Sequence, residues 1–358
     1  MTSRERFSRA MRFQNVDRLP VVHMGFWDDT LRRWEKEGMA DLKLELEGFD
    51  GPMQNCWLYG QYQEPIPAFD EKVLREDENS RDLQNRKGQI ERCFKSQTSM
   101  PAFLEFPVKN RRDWDEYRKR FDPDSAGRYP DEWERLVAER KGKAADEVRG
   151  VAVWGFYGFP REMCGTEALS YLFYDEPSLV EEMNEYWLYF TMKRLERGLC
   201  EMDFDYALIW EDNCYNHGML HSPEIFRKYM APHYCRLIKF FHKHGIELIS
   251  VDSDGNVNEL IPLLLDVGVT GIHPFEVASG MDVVTIGREY PLLQIWGGLD
   301  KRVLAFGKKE IDEELERVIP VMKRRGGYAA GLDHGVPSNV PLENFRYFKK
   351  KLLEISKL

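Results

Sequence analysis

The sequence lacks the features of a secreted or membrane-bound protein. Its six cysteines include no CxxC pair and no zinc-finger spacing, which argues against a disulfide framework and favours a reducing compartment. The N-terminal stretch MTSRERFSRAMRFQNVDRLP has no apolar core of the kind that a signal peptide needs. The longest apolar run, LIPLLLDVGV, is far shorter than the roughly 20 residues that cross a bilayer. We therefore expect a cytoplasmic protein without a membrane partner.

An excess of basic residues is also missing. The chain carries 51 Lys and Arg against 61 Asp and Glu, a formal net charge of -10. A nucleic-acid surface needs a concentrated basic stripe, whereas the basic runs KNRRDW and KKKLL are short and mixed with other residues. We therefore expect no nucleic-acid partner. The hydrophobic share of 42% is enough for a large core, and the aromatic share of 13% fits either that core or a deep pocket.

What the sequence does have is a regular alternation of strands and helices. After residue 150, six predicted strands are each followed by a predicted helix. The strands lie in VRGVAVWGFYGFP, FDYALIWED, IELISVD, VTGIHPF, LLQIWGGLD and YAAGLDHG. The N-terminal stretch RLPVVHMGF adds a seventh, and we expect an eighth between residues 90 and 110. This alternation predicts a parallel sheet, and the number of strands predicts an α/β fold of the (β/α)8 TIM-barrel type.

An open, doubly wound sheet is the alternative fold, but no Gly-rich phosphate loop follows any predicted strand. We expect residues 1–358 to form a single barrel domain with an elaborated N-terminal region. The stretch from about 40 to 145 is polar and has few clean periods, so we interpret it as rich in insertions. Two helices are predicted there, in DWDEYRKRFDP and PDEWERLVAERKGK.

Polar and aromatic side chains follow the predicted strands, where the active site of a barrel lies. The set is His23, Trp154, Tyr157, Glu211, Asp212, Asp252, Asp254, His273, Asp300, Asp333 and His334. Burying so many polar and charged groups at one end costs free energy of desolvation, and a barrel without a function there would gain nothing in return. The sequence therefore predicts a catalytic rim built from several strands.

Several of these residues also have a structural interpretation. Either Asp252 or Asp254 can cap the helix that follows them, and His273 can be a hydrogen-bonded core histidine. Glu211 and Asp212 are adjacent, so one of them should point away from the pocket.

Four histidines outside the predicted rim are not expected to be ligands. His217 and His221 lie in the loop YNHGMLHSPE, and we expect both at the surface. His242 and His244 end a predicted helix, where histidine suits the helix dipole.

A metal is one way to hold the acids and imidazoles of the rim together. Glu211, Asp252 and His273 would suit zinc or a similar ion with an open position for substrate. Without a metal the same acids would repel one another, and one would hold a proton at neutral pH as a general acid does. The residues by themselves leave both states open.

Five stretches of the sequence are similar in order and spacing to one known family. They are RERFSRAMRFQNVDRLPV, IWEDNCYNHGMLHSPEIFRKYMAPHY, SVDSDGNVNELIPLLLDVGVTGIHPFEVASGMDV, WGGLDKRVLAFGKKEIDEEL and GGYAAGLDHGVPSNVPLENFRYF. They cover the N-terminal helix and nearly everything after residue 150, and they resemble the uroporphyrinogen decarboxylase superfamily. The resemblance implies a single (β/α)8 barrel.

One branch of that superfamily is the haem-pathway decarboxylase, which uses no metal. Its arginine-rich loop after the first strand grips the carboxylates of the substrate. Here that place reads HMGFWDDTLRRWEKEG, with Asp28 and Asp29 in the loop and Arg32 and Arg33 in the predicted helix beyond it. Charge complementarity therefore disfavours a polyanionic porphyrinogen as the substrate.

The other branch contains corrinoid-dependent methyltransferases. In its zinc members a His-x-Cys pair stands where this sequence has Asp252 and Asp254, and a later Cys stands near Leu332. The missing sulfur ligands argue against a Cys-rich zinc site that activates a thiol. The resemblance implies instead an O-demethylase type, which moves a methyl group from a small methoxylated or methylated donor to a corrinoid protein.

This resemblance implies two partners, a small-molecule methyl donor and a cobalamin-binding protein that carries methylcobalamin or cob(I)alamin. Zinc is the implied metal cofactor, and a homodimer stays open. The predicted catalytic residues are Glu211, Asp252, His273 and His334, and the first three are also the predicted metal ligands. The predicted substrate-binding residues are His23, Trp27, Trp154, Tyr157, Tyr215, Asp254 and Trp296. A decarboxylase of another carboxylated substrate and a non-catalytic ligand-binding barrel are the alternatives.

Overall fold

The computed structural model describes residues 1–54, 56–57, 63–95, 100–142 and 146–357. The first part of the chain forms short helices and strands. They are α1 Ser3–Met11, β1 Val22–His23, α2 Asp28–Lys36, α3 Leu42–Leu46, β2 Gly51–Pro52, β3 Cys56–Trp57, β4 Lys72–Glu76, β5 Ser80–Gln84, β6 Ile90–Phe94, β7 Ala102–Glu105, α4 Arg111–Tyr117, a 3-10 turn Arg118–Phe121 and α5 Trp133–Gly142.

The second part alternates strands with longer helices. Its first half comprises β8 Gly150–Trp154, α6 Gly158–Cys164, α7 Thr166–Asp175, α8 Pro177–Glu201, β9 Tyr206–Trp210, β10 Cys214–Tyr215, β11 Gly218–Met219, α9 Pro223–Ile225, a π-turn Phe226–Met230 and α10 Ala231–Lys243. Its second half comprises β12 Leu248–Asp252, α11 Leu260–Asp266, β13 Gly271–His273, a 3-10 turn Val277–Ser279, α12 Val283–Glu289, β14 Gln294–Trp296, a 3-10 turn Lys301–Ala305, α13 Lys308–Arg325, β15 Tyr328–Ala329 and α14 Leu342–Ile355.

The strands of the second part pair in parallel and in chain order, as the alternation predicts. The order in the sheet is β3, β8, β9, β12, β13, β14 and β15. A parallel bridge between Val21 and Ala330 joins β15 to the segment that enters β1, and β1 pairs in parallel with β2. The fold is thus a (β/α)8 TIM barrel, and the predicted fold class is confirmed.

The prediction of an eighth strand between residues 90 and 110 is wrong. The eighth position of the barrel is taken by the segment that contains β2 and β3, which pair with β1 and β8 respectively. Residues 90–94 and 102–105 instead belong to a four-stranded antiparallel sheet in the order β4, β5, β6, β7. The strands at 51–57 are only two residues long each, so they leave no periodic pattern in the sequence.

The barrel strands are buried on both faces because helices cover the sheet outside and side chains fill it inside. All five residues of β8 and all five of β12 are buried. The helical segment after β11 has defined ends, since the Ser222 hydroxyl accepts the Ile225 N–H at the start of α9 and Gly245 adopts a φ of 78° just past α10. Among the described residues, no helix combines the length and apolar character that a membrane crossing requires.

Candidate active site

Two predicted residues meet at the C-terminal ends of neighbouring strands. Asp252 ends β12 and His273 ends β13, and the two are paired in the parallel register. His273 Nε2 lies 3.9 Å from Asp252 Oδ1. The side-chain amide of Gln54 reaches both residues, donating to Asp252 Oδ2 and lying 3.2 Å from His273 Nε2.

The hydrogen bonds around His273 determine which ring nitrogen carries the proton. Because the amide N–H of Gln54 can only donate, His273 Nε2 accepts. The proton is therefore on Nδ1, which lies 3.0 Å from the hydroxyl oxygen of Ser250. The ring is also stacked on Trp296 with centroids 5.2 Å apart. His273 is thus a neutral imidazole in a fixed orientation.

Burial shifts the titration of both residues toward their neutral forms. Loss of solvation raises the pKa of Asp252 well above its ordinary value, and the charges of Asp254 and Asp212 add to the rise. Loss of solvation lowers the pKa of His273 to about 3. Both shifts favour the neutral forms, a protonated carboxyl and an uncharged imidazole, over an ion pair between these two side chains at 3.9 Å. The carboxyl proton belongs on Oδ1, because Oδ2 already accepts from Gln54.

Glu211 follows β9 but its carboxylate is fully engaged elsewhere. It accepts the backbone N–H groups of Phe156, Tyr157 and Gly158 at 2.9, 2.9 and 2.6 Å, and the hydroxyl of Tyr234 at 2.5 Å. Loss of solvation raises the pKa of Glu211, and these hydrogen bonds, three of them from the start of α6, oppose that rise by stabilising the charged form. Glu211 is fully buried, and its geometry is that of an anchor for α6.

Asp212 points away from Glu211, but not through the alternation of a strand, because both residues follow the end of β9 and Asp212 has a φ of 51°. Its Oδ2 accepts from Arg161 at 3.1 Å, and Arg161 in turn lies over the Trp210 ring at 4.9 Å. Asp212 Oδ1 lies 3.4 Å from the backbone N–H of Asp254. This carboxylate therefore belongs to the outer rim of the barrel.

Asp254 lies on that outer rim and faces several charged groups. Its Oδ2 is 3.6 Å from His334 Nε2, and its side chain is 38% exposed. Burial, together with the charges of Asp212 and Glu276, raises the pKa of Asp254 to about 7. Neither Asp252 nor Asp254 caps the next helix, since α11 begins after Glu259 without a side-chain cap. The capping interpretation is wrong for both residues.

The turn after Asp254 is held tightly against the hairpin of β10 and β11. Gly255 has a φ of 83°, and a Cβ added there would lie 2.7 Å from the backbone carbonyl of Tyr215. We expect Gly255→Ala to destabilise the protein by about 1 to 3 kcal/mol, because it combines backbone strain with a backbone clash. Urea unfolding measures this. Gly38→Ala is the matched control, since Gly38 also has a positive φ but nothing within 4 Å of the added Cβ. Equal losses in both variants would show that the contact with Tyr215 contributes nothing.

The other predicted residues divide into a buried group and an exposed group. Trp154, Tyr157 and Trp296 are 4%, 1% and 1% exposed, so each is largely part of the core. Trp27 and Tyr215 are 36% and 50% exposed at the mouth. Their substrate-binding roles stay predictions.

Three further predicted residues lie at the mouth of the barrel. His334 is stacked with Trp27 at 6.1 Å, and burial lowers its pKa. His23 is half-buried against Phe26 and Phe49, and burial lowers its pKa to about 4. Asp333 is fully buried and accepts the backbone N–H groups of Val277 and Lys301.

The described residues do not form a ready metal site. No group of three or more His, Cys, Asp or Glu side chains within them is placed to hold an ion. The four hydrogen bonds that Glu211 accepts leave it turned toward α6 and Tyr234. As the structure places them, Glu211, Asp252 and His273 are not arranged to bind one zinc ion together. Whether the chain binds zinc is untested, so zinc binding stays a prediction.

Several residues of the site carry no signal in the sequence. Gln54 lies in the polar insertion, where a lone glutamine has no pattern that marks it. Tyr234 reads as a core residue of α10, and only the fold brings its hydroxyl to Glu211. The expectation that His221 lies at the surface is wrong. It is 8% exposed, and its Nε2 lies 2.7 Å from Asn213 Oδ1.

The fold and the site define a class, a (β/α)8 barrel with a buried carboxyl of raised pKa and a buried imidazole of lowered pKa at the C-terminal ends of adjoining strands. The family model described as uroporphyrinogen decarboxylase (URO-D) matches residues 104–352. The chain therefore belongs to the uroporphyrinogen decarboxylase family.

Individual relatives are distant. Over 203 residues the chain is 26% identical to a uroporphyrinogen decarboxylase of Thermus thermophilus, covering 54% of this chain and 51% of that protein. Over 148 residues it is 24% identical to that of Carboxydothermus hydrogenoformans, covering 38% of each. The chain thus spans about half the length, or less, of these relatives. A solved methyltransferase from Methanosarcina mazei superposes with a TM-score of 0.56 at 16% identity, covering 98% of this chain and 99% of that one, which shows a shared fold.

Proposed function

We propose that this chain is a methyltransferase that demethylates a small methoxylated or methylated donor and passes the methyl group to a corrinoid protein. The observation that carries the proposal is the buried carboxyl of Asp252 at the end of β12, whose pKa lies well above its ordinary value. A carboxyl that keeps its proton at neutral pH is equipped to act as a general acid. The likeness to a structure described as a methyltransferase adds support for the class of reaction.

Demethylation of an ether needs such an acid, because an alkoxide or phenoxide is a poor leaving group. In the proposed step the proton of Asp252 Oδ1 moves to the donor oxygen as the bond from that oxygen to the methyl carbon breaks. The electron pair of that bond stays on the oxygen, and the reduced corrinoid of the partner supplies the pair that bonds the methyl group. Asp252 is left as a carboxylate and regains its proton from water.

Gln54 and His273 orient the acid in this proposal. The Gln54 amide holds Asp252 Oδ2 and so leaves Oδ1 as the oxygen that carries the proton. His273, neutral and fixed by Ser250 and Trp296, cannot take over as the acid because its pKa is about 3. Trp27 and Tyr215, exposed at the mouth, are then available to contact the donor.

Methylation of free cob(I)alamin by the purified chain tests this function. We expect the cob(I)alamin absorbance to decay when guaiacol or another methoxyarene is added with the enzyme, and phenolic product to form in equal amount. Heat-denatured enzyme is the control for the uncatalysed reaction. Absence of transfer from every methoxyarene and methylated amine tested, with and without added zinc, would contradict the proposal.

Decarboxylation of a carboxylated substrate is the second candidate, favoured by the curated relatives, which are uroporphyrinogen decarboxylases. The same protonated Asp252 would deliver a proton to the carbanion left by carbon dioxide. Release of carbon dioxide without any corrinoid would distinguish this reaction from methyl transfer.

A further inference from the structure

A cavity of about 380 Å³ lies between the antiparallel sheet and the ends of two barrel strands. Trp154 at the end of β8 and Trp210 at the end of β9 line it on the barrel side. The turn between β5 and β6, together with β7, lines it on the other side. Its volume suits a small organic ligand.

One wall of this cavity contains a buried amide with unused hydrogen-bonding capacity. Gln63 is 1% exposed, and its Oε1 accepts the backbone N–H of Trp154 at 3.1 Å. That bond fixes the orientation of the amide, because a backbone N–H needs an acceptor. The Nε2 of Gln63 is buried and has no hydrogen-bond partner among the residues that the structure describes. A buried donor of this kind is rare in folded proteins and indicates a missing acceptor.

Charged and amide side chains make up the rest of its polar lining, namely Glu64, Asn85, Lys87, Gln89, Glu91 and Glu162. Lys87 Nζ pairs with Glu162 Oε2 at 2.8 Å and lies 4.6 Å from the centre of the Trp154 ring. An ammonium carries three N–H groups, so Lys87 has donors beyond the one that Glu162 uses. Glu64 also lines the cavity, and loss of solvation raises its pKa.

The cavity offers both hydrogen-bond acceptors and donors, and its lining disfavours an anion. The carboxyls of Glu64, Glu91 and Glu162 outnumber the one ammonium, that of Lys87, while Lys87 and the Gln63 amide supply N–H donors. A hydroxyl group suits both, because it donates to a carboxylate and accepts from an ammonium or amide. The apolar lining, which includes Trp210, Phe103 and Met100, offers faces for a flat ring.

We propose that this cavity binds a neutral aromatic ring that carries a hydroxyl group, with Gln63, Lys87 and Glu64 at the hydroxyl and Trp210 and Phe103 at the ring. That the bound ring is the methyl donor rests on the proposed function. The cavity adjoins the rim, since Trp210 lines it and also lies under Arg161, which holds Asp212.

Direct binding tests the site without any methyl transfer. Isothermal titration of the full chain would compare guaiacol with veratrole, in which the hydroxyl is methylated, and with ortho-methoxybenzoate, in which a carboxylate replaces it. We expect guaiacol to bind at least about tenfold more tightly than either, because each analogue loses the hydroxyl hydrogen bonds and one adds a repelled charge. Gln63→Leu and Lys87→Met should each weaken guaiacol binding by about tenfold. Lys72→Met, a substitution of an exposed lysine on β4, is the matched control and should leave it unchanged.

Equal affinity for guaiacol and veratrole, a preference for the carboxylate, or no binding of guaiacol would each overturn the proposal. Thermal unfolding of each variant shows whether a loss of binding comes from a loss of folding, and Phe103→Ala at a partly exposed position gives a further variant of the ring contact. Guaiacol that binds as expected but transfers no methyl group would show that the bound ring is not the methyl donor and would leave the binding site standing.

Discussion

Replacing Asp252 with asparagine should lower the rate of methyl transfer from a methoxyarene by about 10²- to 10⁴-fold, the usual contribution of a general acid. Asparagine fills the same space and can still accept from Gln54, but it has no acidic proton to give. The rate of cob(I)alamin methylation under saturating donor measures the effect. Asp266→Asn is the matched control at an exposed carboxylate on α11 and should keep the full rate. A wild-type rate of methyl transfer in Asp252→Asn would show that Asp252 is not the general acid.

The same substitution should not destabilise the protein at neutral pH, and the sign follows from the raised pKa. The folded state holds the Asp252 proton more tightly than the unfolded state, whose carboxyl titrates near 3.8. The contribution of this carboxyl to the free energy of unfolding is therefore complete at pH values below the unfolded pKa. It is lost as the pH rises through the folded pKa. Asparagine does not titrate, so the variant should gain stability relative to wild type as pH increases through that window. Urea unfolding at mildly acidic and mildly alkaline pH measures the difference.

Glu211→Gln should lower the free energy of unfolding by about 2 to 4 kcal/mol. The carboxylate of Glu211 accepts four hydrogen bonds, and three of them come from the backbone at the start of α6. A glutamine amide turns one acceptor oxygen into a donor, which then faces other buried donors. Chemical unfolding should show this loss of free energy of unfolding. The activity per folded molecule should change little, because Glu211 has a structural role.

Two further variants distinguish a structural role of Glu211 from a catalytic one. Tyr234→Phe removes one of the four donors and leaves the three amides, so its cost should be only about 1 kcal/mol. Glu259→Gln changes an exposed glutamate and should be neutral. If Glu211→Gln were as stable as wild type but inactive, Glu211 would belong among the catalytic residues, as the sequence first predicted.

Much of the fold could be predicted because its signals are local. The buried runs of β8, β9 and β12 and the amphipathic helices between them follow directly from residue type and spacing. A parallel barrel places the C-terminal ends of all its strands on one face, so the position of Asp252 and His273 at the mouth follows from the same pattern.

The strands at 51–57 and the antiparallel sheet could not be predicted in the same way. Two-residue strands contain no full period, and their pairing with β1 and β8 depends on contacts far away in the chain. The residues around position 90 do resemble strands, and they are strands, but only the tertiary structure shows which sheet they join.

The sequence by itself determined the barrel and the acids at the ends of its strands. Only the tertiary structure decided what each acid does, because protonation and hydrogen bonding depend on neighbours that are distant in sequence. Asp252 is buried beside Gln54 and keeps a proton, whereas Glu211 meets Tyr234 and the start of α6 and becomes an anchor. Burial raises the pKa of both carboxyls, so what distinguishes them is the set of neighbours that the folded chain supplies: four donors surround Glu211, whereas Asp252 accepts from Gln54. The acid role proposed for Asp252 and the structural role of Glu211 both rest on that difference.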